Sequence, residues 1–225
     1  MELLLAIGIL LACYLIGSIP SGWVVVKITH GKDIRFIGSG RVGGTNVMRA
    51  AGFLAGAVTA LMDVIKGFSS YWILSALMPD RPWMQVAAAA ITVLGQIYSI
   101  FLYEKNEQGK WRLRGGAGGA TCLGGAMALF FPSLWIILPV AVLVFIFVGY
   151  ASVTTISIAL TALVIFLVRA VQGLGPWQHI AYGVLALLMV LWALRPNLKR
   201  LREGTERVVG LRAYFKKKRE TADKA

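Results

Sequence analysis

The chain has 225 residues, of which 58% are apolar and only 15% are charged. Soluble domains carry about a quarter charged residues, so this composition excludes an ordinary soluble domain and indicates a membrane protein. Basic residues outnumber acidic ones by 23 to 10. Because they cluster between and after apolar runs, membrane lipids rather than nucleic acid are the expected partner. Cys13 and Cys122 lie within apolar runs, where a packing role is favoured over a disulfide or a metal site.

Long apolar runs predict an all-α fold, a polytopic membrane bundle of about seven transmembrane helices, since about 20 apolar residues cross the hydrocarbon layer. The predicted spans are 3–26, 53–78, 83–103, 120–131, 133–149, 151–171 and 178–194. Two of them, 120–131 and 133–149, are short, so five or six spans remain the alternative. We predict a transmembrane domain over 1–202 and a basic cytoplasmic tail over 203–225. The tail is either a short interfacial amphipathic segment with a polybasic end or a solvated, disordered segment.

Several polar residues interrupt the first two spans. Pro20 removes a backbone hydrogen bond and frees a carbonyl, and the neighbouring Ser18 either packs between helices or lines a site. Lys27 is either a snorkelling residue at the end of a span or a charge partner for a ligand. Asp63 and Lys66 are three residues apart on one helical face, so they form either a structural ion pair or part of a site.

The stretch 38–49, Gly-Ser-Gly-Arg-Val-Gly-Gly-Thr-Asn-Val-Met-Arg, is the main candidate site. Glycine reaches positive φ cheaply, so successive N–H groups can turn inward and bind an anion, above all phosphate. The loop 104–119 adds a second glycine run, with a turn expected at 106–109 between short extended pieces. The alternatives are a flexible loop for the first stretch and close helix packing for the second.

The distribution of Lys and Arg predicts the orientation of the chain. With seven spans, both glycine loops and the tail lie on one side and hold nearly all the basic residues. The positive-inside rule puts that side in the cytoplasm. The two loops are therefore expected to converge on one anionic ligand at the membrane surface.

The order of short motifs resembles a known family. Five motifs follow one another in an order that resembles the bacterial acyl-phosphate:glycerol-3-phosphate acyltransferases. They are Gly17-Ser18-Ile19-Pro20, Asp33-Ile34-Arg35, Gly38-Ser39-Gly40, Thr45 to Arg49 and Asp63 to Gly67. The loop from Gly115 to Thr121 looks like the third motif of that family. Tyr150-Ala151-Ser152 and the stretch from Arg195 to Leu201 look like its later landmarks, so the resemblance covers residues 5–201.

The resemblance implies a seven-helix enzyme of the bacterial inner membrane, with its active site and C-terminus in the cytoplasm. It would move an acyl chain from acyl phosphate to the 1-hydroxyl of glycerol 3-phosphate, giving lysophosphatidic acid and phosphate. No metal or organic cofactor is implied, and the oligomeric state stays open. Acyl phosphate is already activated, so the site must position two phosphates and stabilise charge rather than supply a nucleophile.

The expected substrate and phosphate ligands come from four parts of the chain, and no catalytic residue is assigned. They are Ser18 in the first span and Lys27 directly after it; Ser39, Gly40, Gly43, Thr45, Asn46 and Arg49 in the first glycine loop; Gly115, Gly116 and Gly118 in the second, with Thr121 shortly after it; and, carried over from the resemblance, Ser152, Arg195 and Asn197.

Five positions depart from the family pattern: Arg41 stands for Asn, Gln96 for His, Ala117 for Lys, Gly149 for a basic residue and Leu194 for His. A charge-assisted hydrogen bond contributes about 1.5–3 kcal/mol, so these losses motivate an alternative, a non-catalytic phosphate or lipid binder with the same fold. Four basic residues are candidates to replace the positive charge lost at these positions: Arg41, Lys110, Arg112 and Arg114. A small transporter is disfavoured, because no pair of similarly interrupted spans recurs in two halves of the chain.

Overall fold

A computed structural model describes residues 1–105, 109 and 111–222, and within them the chain is mainly helical. The helices are α1 (Glu2–Ser18), α2 (Ser21–His30), α3 (Gly44–Ala51), α4 (Phe53–Leu77), α5 (Pro82–Ile97), α6 (Gly119–Leu129), α7 (Leu134–Leu143), α8 (Ala151–Val171), α9 (His179–Ala193), α10 (Arg195–Arg202) and α11 (Gly210–Ala222). The strands β1 (Ser99–Lys105) and β2 (Trp111–Arg114) form an antiparallel hairpin.

The predicted helical bundle is confirmed, whereas the count of seven spans stays a prediction. Four helical stretches among the described residues are long and apolar enough to cross a membrane: 2–30, 53–77, 131–148 and 151–171. α9 and α10, bent by 63°, make a fifth if they count as one span. α5 and α6 have 16 and 11 residues. At 1.5 Å per residue they are about 24 and 17 Å long, less than the roughly 30 Å of the hydrocarbon layer.

The first span is broken at Ile19 and Pro20, between α1 and α2. The carbonyls freed at this break are satisfied by a buried side chain of α4. Lys66 Nζ donates to the carbonyl oxygen of Ile19 at 2.6 Å and to that of Gly17 at 3.4 Å. The break therefore fixes the position of α4 beside the first span, since a backbone group freed inside a membrane needs such a partner.

The prediction of a third span over 83–103 is wrong at its C-terminal end. α5 ends at Ile97, and the apolar residues that follow form β1. The second glycine loop folds over this end: Gly116 N donates to the carbonyl oxygen of Gln96 at 2.8 Å. A Cβ at Gly115 would lie 2.3 Å from the same oxygen, so only glycine fits there. Lys110, and the turn expected at 106–109 except for Gly109, lie outside the described residues.

Small residues let α4 and α6 cross at close range. A Cβ on Gly67 would lie 2.2 Å from the carbonyl oxygen of Thr121, and one on Gly124 would lie 2.1 Å from that of Val64. Glycines at a crossing allow two backbones to approach, as is usual between membrane helices. This crossing brings the start of α6, and the glycine loop before it, against α4.

The tail after α10 returns to the bundle. Val209 N donates to the carbonyl oxygen of Gly149 at 2.9 Å, and Val208 forms a β-bridge with Tyr150. α11 then packs against a π-helical segment over 144–148, which continues α7. The division of the chain at residue 202 stays a prediction, but the described part of the tail is structured and contacts the preceding domain.

Candidate active site

Asn46 holds the first glycine loop in a tight turn. Its side-chain oxygen accepts a hydrogen bond from Ser39 N at 3.0 Å, and its Nδ2 donates to the carbonyl oxygens of Ile37 and Arg41, both at 2.9 Å. Gly38 and Gly40 adopt φ values of +61° and +67°, which disfavour any side chain. Because both amide donors of Asn46 are used by the backbone, its role in this structure is to shape the loop.

The two glycine loops lie side by side. Val42 N donates to the carbonyl oxygen of Gly115 at 3.4 Å. Arg114, at the end of β2, ties the first loop to the hairpin: its Nη1 donates to the carbonyl oxygens of Arg35 and Gly40 at 3.0 and 3.2 Å. Its Nε lies 2.5 Å from a carboxylate oxygen of Glu104. Arg114 is therefore committed to structural contacts.

A cavity of about 570 Å³ opens beside the two loops. Its polar lining comes from the first loop, α3, α4, α5, α8, α10 and the tail, and most of its apolar lining comes from α4, α6, α7 and the π-helical segment. The polar members are Ser39, Arg41, Thr45, Asn46, Arg49, Asp63, Gln96, Ser152, Thr154, Thr155, Asn197, Arg200, Glu206 and Arg207; the larger apolar ones are Met48, Phe53, Val64, Leu123, Leu138, Val142, Phe145, Ile146, Ile158 and Leu194.

Arg41 is the central cation of this cavity. Its guanidinium donates to the carbonyl oxygen of Gly116 at 3.3 Å and to that of Ala193, so it joins both glycine loops to the end of α9. Burial, and then the positive charge of Arg200, lower the pKa of Arg41. An arginine side chain is not deprotonated in proteins, so Arg41 keeps its positive charge. A bound anion would offset the cost of burying this charge, and it would also reduce the repulsion between Arg41 and Arg200.

A carboxylate from the tail lies among these cations. Glu206 is 9% exposed. One of its carboxylate oxygens accepts from Asn197 Nδ2 at 2.9 Å, and the other lies 3.2 Å from Arg200 Nε. At the rim, Arg49 donates to the carbonyl oxygen of Arg207 at 3.5 Å. Burial, and then the charge of Arg207, lower the pKa of Arg49. The cluster thus keeps an excess of positive charge that suits a phosphate.

Asp63, Lys66 and Gln96 form a closed polar network inside the bundle. Lys66 Nζ lies 2.9 Å from Asp63 Oδ1 and donates to Gln96 Oε1 at 2.5 Å, while Gln96 Nε2 donates to Asp63 Oδ2 at 2.9 Å. Asp63 and Gln96 also border the cavity. The sequence predicts either a structural ion pair or part of a site for Asp63 and Lys66. The geometry supports the structural ion pair, because every charge of the network has a partner.

About half of the predicted ligands line the cavity: Ser39, Gly43, Thr45, Asn46, Arg49, Gly118, Ser152 and Asn197. Lys27 lies outside it, exposed at the end of α2, and donates to the carbonyl oxygen of Gly31 at 3.3 Å. Arg195 is also exposed and stacks on the Trp192 ring at 3.1 Å. Each of these two side chains contacts a residue three or four positions away in the chain and does not reach the cavity.

The remaining predicted ligands lie outside the cavity for packing reasons. Ser18 and Thr121 are fully buried within the bundle. Gly115 and Gly116 contact the end of α5, and Gly40 packs against Arg114. These glycines build the loops whose neighbouring residues reach the cavity.

Sequence reasoning missed cavity residues of α10, the tail, α7 and the π-helical segment. Arg200 falls in the stretch 195–201 without being singled out, and Glu206 and Arg207 fall in a stretch whose composition indicates only a basic tail. Leu138, Val142 and Phe145 fall in a plain apolar run. No local pattern marks them, because they reach the cavity only through long-range folding. The only signal in the sequence for unpredicted cavity residues is a departure from the family pattern, which marks Arg41, Gln96, Ala117 and Leu194.

Comparisons with known proteins agree with this arrangement. Residues 7–204 match the family model described as Glycerol-3-phosphate acyltransferase. A glycerol-3-phosphate acyltransferase of Thermus thermophilus is 40% identical over 212 residues, covering 92% of this chain and 97% of the relative. The glycerol-3-phosphate acyltransferase 2 of Moorella thermoacetica is 35% identical over 206 residues, covering 91% of this chain and 97% of the relative.

Two crystal structures of PlsY (YgiH), described as an integral membrane glycerol 3-phosphate acyltransferase, are also similar. The glycerol 3-phosphate form matches with a TM-score of 0.78 at 29% identity, covering 93% of this chain and 98% of that one. The lysophosphatidic acid form matches with a TM-score of 0.76 at 29% identity, covering 91% and 95%. Together with its apolar helices, these matches make this chain a multi-pass membrane protein, and it belongs to the glycerol-3-phosphate acyltransferase family.

Proposed function

We propose that the protein transfers a fatty acyl group from acyl phosphate to the 1-hydroxyl of glycerol 3-phosphate, giving lysophosphatidic acid and inorganic phosphate. One observation carries this function: a single cavity combines glycine-loop backbone and a cluster of arginines with an apolar wall. Such a cavity suits a substrate pair that contains two phosphates and one long acyl chain.

The phosphates bind at the cationic part of the cavity. The first glycine loop leads into the N-terminus of α3 at Gly43 and Gly44, and this end of a helix favours anions. Arg41 and Arg49 border the same space. A guanidinium fork matches phosphate geometry, so these arginines hold and orient the two phosphates.

The acyl chain lies against the apolar wall built by α7 and the π-helical segment. Leu138 and Val142 line the cavity and are 43% and 45% exposed, in a stretch long and apolar enough to cross a membrane. An accessible apolar wall on a membrane-spanning stretch suits an acyl chain that enters from the bilayer.

The chemistry requires positioning and charge stabilisation. The hydroxyl oxygen of glycerol 3-phosphate attacks the carbonyl carbon of acyl phosphate, the bond from that carbon to the phosphate oxygen breaks, and phosphate leaves with the hydroxyl proton. No covalent intermediate on the enzyme is needed. The arginines lower the barrier by stabilising negative charge that develops on the carbonyl oxygen and the leaving phosphate.

The orientation belongs to the same proposal. The loops, the hairpin and the tail carry most of the basic residues, and the positive-inside rule assigns them to the cytoplasm. The active site and the C-terminus then face the cytoplasm from the inner membrane of a bacterium. A non-catalytic binder is not favoured, because a relative that is 40% identical carries the name of the enzyme and Arg41 supplies a cation beside Ala117.

The test is acyl transfer from palmitoyl phosphate to labelled glycerol 3-phosphate by purified protein in proteoliposomes. Wild-type protein should form labelled lysophosphatidic acid, and an Arg41→Ala/Arg49→Ala variant should not. Arg81→Ala is the matched control, since Arg81 is exposed and lies outside the cavity, pairing only with Glu2 in the described structure. Absence of product with wild-type protein, or equal rates for wild type and the double variant, would overturn the proposal.

A further inference from the structure

α11 exposes an apolar face. Leu211, Tyr214 and Phe215 are 41%, 62% and 54% exposed. Tyr214 and Phe215 follow Leu211 by three and four residues, so all three lie on one face of the helix. The Tyr214 and Phe215 rings contact each other edge to face, with centroids 5.5 Å apart.

Residues that flank the apolar face fix α11 to the bundle. Gly210 has a φ of +57°, and a Cβ there would lie 2.3 Å from the carbonyl oxygen of Phe145. Arg212 Nη1 donates to the hydroxyl oxygen of Tyr150 at 2.8 Å, and its guanidinium lies over that ring. These contacts hold the N-terminal turn of α11 against the bundle, while the side chains of Leu211, Tyr214 and Phe215 stay exposed.

This position corresponds to the membrane surface. The π-helical segment that α11 contacts is the last part of the apolar stretch 131–148, which is long enough to span the hydrocarbon layer. A helix attached at the end of a span lies at the level of the lipid headgroups, where Tyr and Phe side chains are well accommodated.

The charges of α11 complement an anionic surface. The run Lys216-Lys217-Lys218-Arg219 gives four cations against the single acidic residue of the helix, Glu220. Lys216, Lys218 and Arg219 are exposed. Cations beside an exposed apolar face are typical of helices that bind anionic lipid surfaces.

We propose that α11 docks on the membrane surface, with Leu211, Tyr214 and Phe215 inserted between lipids and the cations bound to the phosphates of anionic phospholipid headgroups. This lipid contact is separate from acyl transfer, so a spectroscopic measurement tests it without an activity assay.

The experiment uses full-length protein in nanodiscs of phosphatidylcholine with or without phosphatidylglycerol. Cys13 and Cys122 are replaced by alanine, and a spin label is attached at Phe215→Cys on the apolar face or at Glu220→Cys away from it. Power saturation with oxygen and with a water-soluble nickel chelate then measures the depth of each label. With phosphatidylglycerol, the label at 215 should lie in the acyl region, and the label at 220 should stay in water.

Charge variants separate headgroup binding from simple apolar contact. Lys216→Gln/Lys218→Gln/Arg219→Gln should reduce the inserted fraction of the label at 215 by about tenfold or more, because each cation near an anionic surface contributes substantially. Lys32→Gln/Lys105→Gln/Lys199→Gln changes the net charge equally at other exposed positions and should leave insertion unchanged. Raising the salt concentration should mimic the first triple variant.

Two outcomes would overturn the proposal. In one, the label at 215 is as accessible to the nickel chelate as the label at 220 in both lipid mixtures, which means a solvated helix. In the other, added polyuridylate protects the label at 215 in phosphatidylcholine discs while phosphatidylglycerol does not, which means a nucleic-acid surface.

Discussion

The ammonium nitrogen of Lys66 lies 2.9 Å from Oδ1 of Asp63, and the two side chains are only 6% and 3% exposed. The same ammonium satisfies the carbonyls of Gly17 and Ile19, freed where the first span is broken. One buried cation thus connects the break in the first span with α4, and through Gln96 with α5. The second glycine loop contacts the same part of the bundle, since Gly116 N donates to the carbonyl oxygen of Gln96.

Lys66→Met should strongly destabilise the protein. Removing the cation leaves Asp63 buried without its charge partner, and breaking such a pair costs about 3–5 kcal/mol. The expected result is a marked drop in the unfolding temperature of the detergent-solubilised protein. Lys199→Met is the matched control, since Lys199 is 79% exposed and lies 3.8 Å from Glu203, and exposed pairs contribute about 0–1 kcal/mol. Equal unfolding temperatures for the two variants would contradict this role of Lys66.

Gly124→Ala should destabilise the crossing of α4 and α6. The added methyl group would lie 2.1 Å from the carbonyl oxygen of Val64, and a backbone atom cannot move aside as a flexible side chain can. Overpacking of this kind costs about 1–3 kcal/mol. Gly8→Ala, where nothing lies within 4 Å of the added carbon, should leave the unfolding temperature unchanged or slightly higher. The expectation fails if both alanine variants melt with the wild type.

Local patterns predicted most helices, but they misplaced the end of the third span. The residues after Ile97 are apolar and aromatic, which suits a membrane helix and a strand equally well. The deciding contact is distant in sequence: Gly115 and Gly116 fold over the carbonyl oxygen of Gln96. The spacing of apolar residues along a segment does not reveal such a long-range contact.

The candidate site was also only partly predictable from the sequence. The glycine loop was predictable because its residues are adjacent and their types indicate anion binding. Arg41 stands out in the sequence only as a departure, since its contact with Ala193 joins residues 152 positions apart. Glu206 reaches the cavity because the tail returns to pair with Gly149 and Tyr150, which a basic composition does not reveal.

Asp33→Asn should change the dependence of stability on acid. A hydrogen bond from the Arg35 side chain lowers the pKa of Asp33 from 3.8 to about 2, although partial burial opposes this. A carboxyl with a lowered pKa in the folded state stabilises the fold above its unfolded pKa and loses that contribution as pH falls through the folded value. The wild type should therefore exceed Asp33→Asn in unfolding temperature by a constant margin well above pH 3.8, and the margin should shrink towards pH 2. Because solvent reaches the carboxyl and screens the pair, the margin should be small. A margin that grows on acidification would contradict this pairing.

Arg41→Gln should lower kcat/KM for glycerol 3-phosphate. Arg41 is a cavity cation that also joins the two glycine loops, and the loss of one charge-assisted hydrogen bond costs about 1.5–3 kcal/mol. Since each 1.36 kcal/mol is tenfold in rate, we expect a decrease of about 10- to 150-fold in proteoliposomes. Arg112→Gln should stay near the wild-type rate, because Arg112 pairs with Glu104 and lies outside the cavity.

A second substitution tests whether the charge itself matters at this place. Ala117 lines the cavity next to Gly116, whose carbonyl oxygen accepts from Arg41, so Ala117→Lys would bring an ammonium group into the space that Arg41 serves. Adding Ala117→Lys to Arg41→Gln should recover at least about tenfold in kcat/KM, which corresponds to one restored charge contact. In the wild-type background the same lysine should give little gain, because the cation is already present and two like charges repel. If the lysine helps the wild type as much as it helps Arg41→Gln, then the two positions act independently and Arg41 does not compensate for the residue at 117.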